Sequence, residues 1–285
     1  MGARLGQHFL SDPSILGRIA DAAALGPDET VLEIGPGKGG LTLQLAARAG
    51  RVVAIEADGR LAAELSARLA EEGAARPPAP PRGAEPGRRP PRGAAGGEPA
   101  RRGVVEVIHG DALRVPWPAA TCVCGNIPYR ITSPLIERAL TPPRPRRIVF
   151  LVQREVAERL AAAPGSEAYG ALSAGVQLVA VVERLFAVPR GAFRPPPRVE
   201  SAVVRITPLV PEPLPAAAEA ATRRLIRLAF QRRRQQLRRS VSEFYGLVRE
   251  ETEGLLGAVG AAADARPEVL SPQQFTALAR QLPAG

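Results

Sequence analysis

The feature that most constrains this chain is a strict alternation of short apolar runs with glycine-rich turns and helical stretches. Residues 31–34 (VLEI) form one run, 35–40 (GPGKGG) a turn, 41–49 (LTLQLAARA) a segment of helical spacing, and 51–56 (RVVAIE) a second run ending in an acid. Continuous apolar runs of this length suit strands buried on both faces, and the spacing between them suits an amphipathic helix. The unit is therefore β-α-β. Further runs stand at 104–109 (VVEVIH), 120–126 (ATCVCGN), 147–153 (RIVFLVQ), 178–188 (LVAVVERLFAV) and 201–208 (SAVVRITP). Strands separated by helical segments of about ten residues predict an α/β fold, a mostly parallel sheet covered on both faces. The last two runs have little helix between them, so the sheet is expected to close with a hairpin.

Two segments break the rhythm. Residues 76–102 are almost wholly Pro, Gly, Ala and Arg, a composition that cannot bury enough apolar surface to offset chain entropy, and they predict a disordered insertion spanning about 74–103. Beyond the proline-rich stretch that begins at Pro208, the pattern turns helical and stays so. The expected organisation is an α/β domain over 1–207 and a small helical domain over 208–285.

Charge narrows the partners. The chain carries a net +10, and all but one of its 38 basic residues are arginine. An anionic partner follows, either nucleic acid or an acidic surface. The excess is localised: residues 76–102 hold seven arginines against Glu85 and Glu98, and residues 222–241 hold eight arginines and no acid. The remainder of the chain is slightly negative. No run approaches the ~20 apolar residues of a membrane span, and the N-terminus lacks a signal-peptide core, so a cytoplasmic protein without membrane contact is expected. Cys122 and Cys124 supply neither a disulfide framework nor the four ligands of a structural zinc site, and no metal is expected. They read as small buried strand residues.

The loop Glu33-Ile34-Gly35-Pro36-Gly37-Lys38-Gly39-Gly40 follows the first strand and opens a helix, where glycines let backbone approach a ligand. Glu56, twenty-one residues after Gly35, ends the second strand, where an acid accepts hydrogen bonds from ribose hydroxyls in nucleotide-binding folds. The glycines do not follow the dinucleotide pattern. An acid two residues before the first glycine instead resembles the S-adenosylmethionine loop of Rossmann-like methyltransferases. Asp111, after the third strand, fits the same cofactor as a partner of its adenine amine, or serves as a turn aspartate.

Asn126-Ile127-Pro128-Tyr129 follows the fourth strand directly. Ligands of open α/β sheets bind at the carboxyl ends of strands, which puts this tetrapeptide at the same end as Gly35 and Glu56. An exocyclic adenine amine is a poor nucleophile because its lone pair is delocalised into the ring. Accepting hydrogen bonds from that amine, with the Asn126 side-chain oxygen and the carbonyl of Ile127 or Pro128, favours a pyramidal nitrogen whose lone pair is free. No strong base is needed. Tyr129 is expected to stack on the base, a contact worth ~1–3 kcal/mol in single-strand binders.

With these residues in place the chain resembles the KsgA (RsmA) family of small-subunit rRNA adenine dimethyltransferases, which is related to the Erm resistance methyltransferases. The resemblance is carried by GQHFLSDPSIL (6–16), VLEIGPGKGGLT (31–42), VVAIEAD (52–58), HGDAL (109–113), GNIPYRITSPLI (125–136), FLVQREVAERL (150–160), AYGALS (168–173), AFRPPPRVESAVVRITP (192–208), FQRRRQQLRRSV (230–241) and RPEVLSPQQF (266–275). It implies that His8 and Leu10 line the cofactor site with Gly35, Glu56, Asp111 and Asn126. Many relatives carry Asn at the position of His8. It further implies that Asn126, Pro128 and Tyr129 form the catalytic set, and that Phe193 either closes on the target base opposite Tyr129 or packs against the Pro195–Pro197 turn. The implied reaction is dimethylation of two adjacent adenosines in a loop near the 3′ end of 16S rRNA, in the immature small subunit, by a monomeric enzyme. An Erm-like activity on 23S rRNA, a ribosome-assembly checkpoint and a DNA adenine methyltransferase are the alternatives.

A single basic helix is predicted from Thr222 to Val241. It presents Arg223, Arg224, Arg227, Arg232, Arg233, Arg234, Arg238 and Arg239, with Leu225, Ile226, Leu228, Ala229, Phe230, Leu237 and Val241 as an apolar stripe. A solvated helix would interleave glutamates. Their absence from the segment points to RNA phosphate.

Overall fold

The computed structural model describes residues 8–74 and 103–283. The insertion predicted over 76–102 lies outside the described residues. Two compact units are present, one drawn from residues 9–125 and the other from residues 1–8 and 126–285.

The first unit is built on parallel strands β1 (Thr30–Ile34), β2 (Arg51–Glu56), β3 (Val104–His109) and β4 (Cys122–Asn126), in the order β3-β2-β1-β4. Ile34 is in register with Ile55 on one side and with Gly125 on the other. All three strands therefore end at one edge of the sheet. Val31, Leu32, Val52, Val53, Ile55 and Val123 are buried, each worth ~1.5–3 kcal/mol relative to exposure. The continuous apolar runs are explained by this burial on both faces, whereas β3, the outer strand, leaves Val104 70% exposed. Helices α1 (Pro13–Ala22), α2 (Gly40–Ala46) and α3 (Gly59–Ala74) accompany the strands. Asp12 caps α1 by accepting from the Ser14 and Ile15 amides, with Pro13 at the first helical position, where its missing N–H costs nothing. Cys122 and Cys124 are buried free thiols. Burial holds the Cys124 thiol well above its usual range and so unreactive.

The second unit holds three antiparallel strands, β5 (Arg147–Gln153), β6 (Ala180–Val188) and β7 (Ser201–Pro208), in the order β5-β7-β6. Its pairings include Val152 with Ala202 and Val182 with Ile206, and a bulge falls between Arg184 and Phe186. The β6–β7 pair is the hairpin expected from the two closing apolar runs. Helices α4 (Thr132–Ala139), α5 (Arg154–Leu160), α6 (Ala171–Gln177), α7 (Ala216–Gln231), α8 (Leu237–Tyr245), α9 (Arg249–Ala258) and α10 (Pro272–Ala279) complete it. Tyr169 and Phe275 sandwich Phe230, with ring centroids 6.2 and 6.1 Å from it. Helix α7 packs on α6 and α10, so helices beyond residue 208 share a core with residues before it. The compact units accordingly divide the chain at 8/9 and 125/126, whereas composition places its boundary at 207/208.

The predicted single helix over Thr222–Val241 is two helices. Helix α7 ends at Gln231, Arg232 leaves helical geometry (φ −120°, ψ 48°), and α8 begins at Leu237. Residues 232–236 (RRRQQ) offer no apolar side chain to hold another turn against the core, and three adjacent guanidinium groups repel one another. Leu237 re-enters the core, and its amide donates to the Ala265 carbonyl at 2.8 Å.

Candidate functional site

Of the predicted cofactor residues of the first unit, Leu10, Gly35 and Glu56 lie at the loop after β1. Gly37 and Gly39 take φ of +54° and +76°, conformations that cost other L-residues ~1–2 kcal/mol. A Cβ on Gly37 would also lie 3.0 Å from the Phe9 ring, over which Lys38 Nζ sits 5.2 Å from the centroid. Beside Phe9, Leu10 places its carbonyl 3.9 Å from the position of a Cβ on Gly40. Gly35 is also left-handed, at φ +70°, and its amide donates to the Ile55 carbonyl at 2.9 Å.

Glu56 is buried at the end of β2, and each of its oxygens accepts one backbone bond at 2.9 Å, Oε2 from Gly37 and Oε1 from Asp58. Bracing the glycine loop is a role the sequence did not disclose. A carboxylate offers about four acceptor sites, so capacity for ribose hydroxyls remains. Glu33, on β1, is 1% exposed and its Oε2 has no hydrogen-bond partner. Burial pushes its carboxyl up to about 8, against the lowering effect of the Thr42 hydroxyl, and the negative charge of Glu56 adds to the rise. A glycine cradle beside Glu56, whose oxygens keep acceptor sites for ribose hydroxyls, is one that S-adenosylmethionine fits. Asp111 accepts from the Leu113 amide at 2.9 Å and faces Arg114 at 3.6 Å, so its turn role is present.

The catalytic residues predicted after β4 fall in the second unit. The chain passes between the units at His8–Phe9 and Gly125–Asn126. Asn126 Nδ2 donates to the His8 main-chain carbonyl at 3.0 Å. A carbonyl oxygen only accepts, so the NH₂ face of the amide is fixed and Oδ1 points elsewhere as a free acceptor. Ile127 is buried and its amide donates to the Leu151 carbonyl at 3.1 Å, while Pro128 is exposed.

Tyr129 opens a 3₁₀ turn over Tyr129–Ile131. Its hydroxyl and the Ser201 hydroxyl are 2.7 Å apart, and its ring lies 6.3 Å from the His8 ring at 27°. Burial raises its phenol above the ordinary range, against the opposing effect of Ser201, so it stays neutral. His8 Nδ1 is 2.9 Å from the Pro195 carbonyl; that pairing requires the proton on Nδ1. Ser201 and Pro195 are members of this cluster that sequence reasoning missed, since nothing in either residue type signals a partner 72 or 187 positions away.

Phe193 is buried, 0% exposed, which leaves no open ring face for a base and fits its packing reading.

Within the predicted RNA-binding set, Arg227, Arg232, Arg233, Arg234 and Arg239 are exposed and Arg223, Arg224 and Arg238 are half-buried. The missing acids lie outside the segment: Glu219 pairs with Arg223, Glu243 with Arg232, and Glu253 with Arg238. Arg233 donates to the Glu167 carbonyl at 2.7 Å. Arg227, Arg234 and Arg239 make no ion pair among the described residues.

Comparison with known proteins places this geometry. The sequence signature described as "Ribosomal RNA adenine dimethylase" matches residues 2–75 and 98–280, leaving 76–97 unmatched. "Ribosomal RNA small subunit methyltransferase A" of Synechococcus sp. (strain JA-3-3Ab) is 40% identical over 286 residues, covering 96% of this chain and 90% of that protein. The protein of the same name from Gloeobacter violaceus is 39% identical over 288 residues, covering 98% and 92%. Among solved structures, a dimethyladenosine transferase from Plasmodium falciparum superposes with a TM-score of 0.76 at 26% identity, covering 95% and 96% of the two chains. The 23S rRNA methyltransferase ErmE gives 0.69 at 28% identity, covering 96% and 99%. The Rossmann-like fold with a helical C-terminal region expected from the sequence is present, and the chain belongs to the ribosomal RNA adenine dimethylase family.

Proposed function

We propose that this protein transfers methyl groups from S-adenosylmethionine to N6 of two adjacent adenosines in a loop near the 3′ end of 16S rRNA, giving N6,N6-dimethyladenosine at each. The observation that carries the chemistry is the fixed orientation of the Asn126 amide. With Nδ2 held by the His8 carbonyl, Oδ1 is the acceptor presented to an incoming amine, and it needs no reorganisation to act. The Pro128 carbonyl, which accepts from the Ile131 amide at 3.0 Å, supplies a second acceptor through its other lone pair. Together they draw the amine hydrogens out of the ring plane and free the nitrogen lone pair. Tyr129, clamped by Ser201 and His8, holds the base by stacking. When bound, the cofactor supplies the activated methyl, and Leu10, Gly35, Glu56 and Asp111 would hold it. Transfer leaves a proton on a nitrogen made acidic by alkylation, so it departs without a dedicated base.

Residues 208–285 serve as the RNA-binding part, and Arg227, Arg234 and Arg239, which make no ion pair among the described residues, are among its cations. The substrate is the maturing small subunit, met in the cytoplasm by a monomer. An unpaired loop suits the reaction because a stacked base cannot reach the donor. Incubating the protein with labelled S-adenosylmethionine and ribosomal subunits from a strain lacking the modification tests this. Label in immature small subunits is expected. Label in 23S rRNA instead supports the ErmE-like reading, which the ErmE superposition keeps as the second choice.

A further inference from the structure

The connection between β6 and β7 carries Arg190, Arg194 and Arg198, and Arg130 directly follows Tyr129; all four are exposed. None meets a carboxylate among the described residues. Arg190 Nη1 donates to the Arg198 carbonyl at 3.2 Å, and Arg194 Nη1 lies 3.4 Å from the Gly191 and Phe193 carbonyls. Exposed arginines elsewhere do pair, Arg51 with Glu106 and Arg154 with Glu200. The positive excess leaves acid-free arginines in other places too, so position singles out these four.

Two contacts anchor the β6–β7 connection to Tyr129. The Pro195 carbonyl, next to Arg194, meets His8 Nδ1 at 2.9 Å, and the His8 ring stacks on Tyr129; Ser201, three residues after Arg198, bonds the Tyr129 hydroxyl at 2.7 Å. The guanidinium groups are thereby carried on backbone fixed to the proposed base-stacking residue. Like charges gathered this way repel, and the arrangement becomes favourable when anions lie among them. An RNA strand that places an adenosine on Tyr129 brings its flanking phosphates to this rim, and the guanidinium fork matches phosphate oxygens bidentately.

We propose that Arg130, Arg190, Arg194 and Arg198 form a second phosphate-binding surface, which grips the substrate strand on both sides of the target adenosine and acts separately from the arginines of α7 and α8. The proposal rests on the reading of Tyr129 as the base-stacking group. Its test is the salt dependence of binding to a synthetic RNA hairpin with two adjacent unpaired adenosines, for the native protein and for the variant with all four arginines changed to Gln. The slope of log K against log salt is expected to shrink by about 3, at about 0.7 per single-strand contact, with KM for the RNA raised at least tenfold. Single variants Arg130→Gln and Arg198→Gln, each expected to shift the slope by about 0.7, keep the test decisive where the fourfold variant fails to fold. An unchanged slope, or a loss confined to kcat, overturns the proposal. Failure of the native protein to methylate any adenosine is a separate result that strikes the functional reading itself, because the binding slope is measured without catalysis.

Discussion

The side-chain amide of Asn126 donates to the main-chain carbonyl of His8 at 3.0 Å, across 118 positions of sequence. Both residues belong to the same compact unit, and the bond fixes the rotamer of the proposed acceptor. Asn126→Ala is expected to lower kcat by about 100-fold, the usual cost of removing one preorganised polar partner, while RNA binding is retained. Asn126→Asp keeps the shape but sets a carboxylate against the His8 carbonyl, and is expected to fare no better. Single-turnover methylation together with RNA binding checks both.

Tyr129 separates ring from hydroxyl. Tyr129→Phe loses the 2.7 Å bond to Ser201 but keeps the stacking face, and is expected to cost about 1 kcal/mol in stability with activity kept within a few-fold. Tyr129→Ala removes the ring, and is expected to raise KM for RNA by tenfold or more, matching ~1–3 kcal/mol of base stacking. Thermal melts and steady-state kinetics on the two variants distinguish the contributions.

Gly37→Ala combines a left-handed backbone with a Cβ 3.0 Å from the Phe9 ring. The strain of about 1–3 kcal/mol falls on the cofactor loop, so weaker S-adenosylmethionine binding is expected by calorimetry, by roughly tenfold at about 1.4 kcal/mol.

Glu33 makes stability depend on pH. Its carboxyl is raised to about 8 by burial, from an ordinary value of 4.5. Between these values the unfolded chain releases the proton and the folded protein keeps it, so unfolding becomes more favourable as pH rises through that window and levels off above it. Glu33→Gln removes the titration. Melting temperatures from pH 5 to 8.5 are expected to fall less steeply in the variant than in the native protein.

Arg144, with its side chain 4% exposed, contacts Glu219 at 2.5 Å and Glu212 at 3.0 Å, and Glu219 also holds Arg223 at 2.8 Å. Glu219→Ala strips the buried guanidinium of its closest partner. A loss of about 3–5 kcal/mol is expected, read by chemical denaturation.

What the sequence made legible follows from range. The strands, the glycine turn and the hairpin are written in local periodicity, and the residues after β1 and β4 stand at strand ends because register is set by continuous apolar runs. Partners distant in sequence were not legible. Phe193 and Tyr129 look equivalent as aromatics beside prolines, and only packing shows that one is sealed inside while the other keeps a half-exposed face. The run from Arg223 to Arg239 looked free of acids because its partners lie outside it: Glu219 reaches Arg223 one helical turn on, and Glu243 and Glu253 come back from α8 and α9 to Arg232 and Arg238. Its continuity as one helix failed for the same reason, since helical spacing cannot reveal that residues 232–236 have nothing to pack against.

Mass spectrometry of ribosomal RNA from cells lacking the endogenous modification, with and without this protein expressed, tests the central claim most directly. The account predicts two adjacent N6,N6-dimethyladenosines near the 3′ end of 16S rRNA, and their loss with Asn126→Ala. Dimethyladenosine confined to 23S rRNA, or 16S rRNA left unmodified by the native protein, would contradict it.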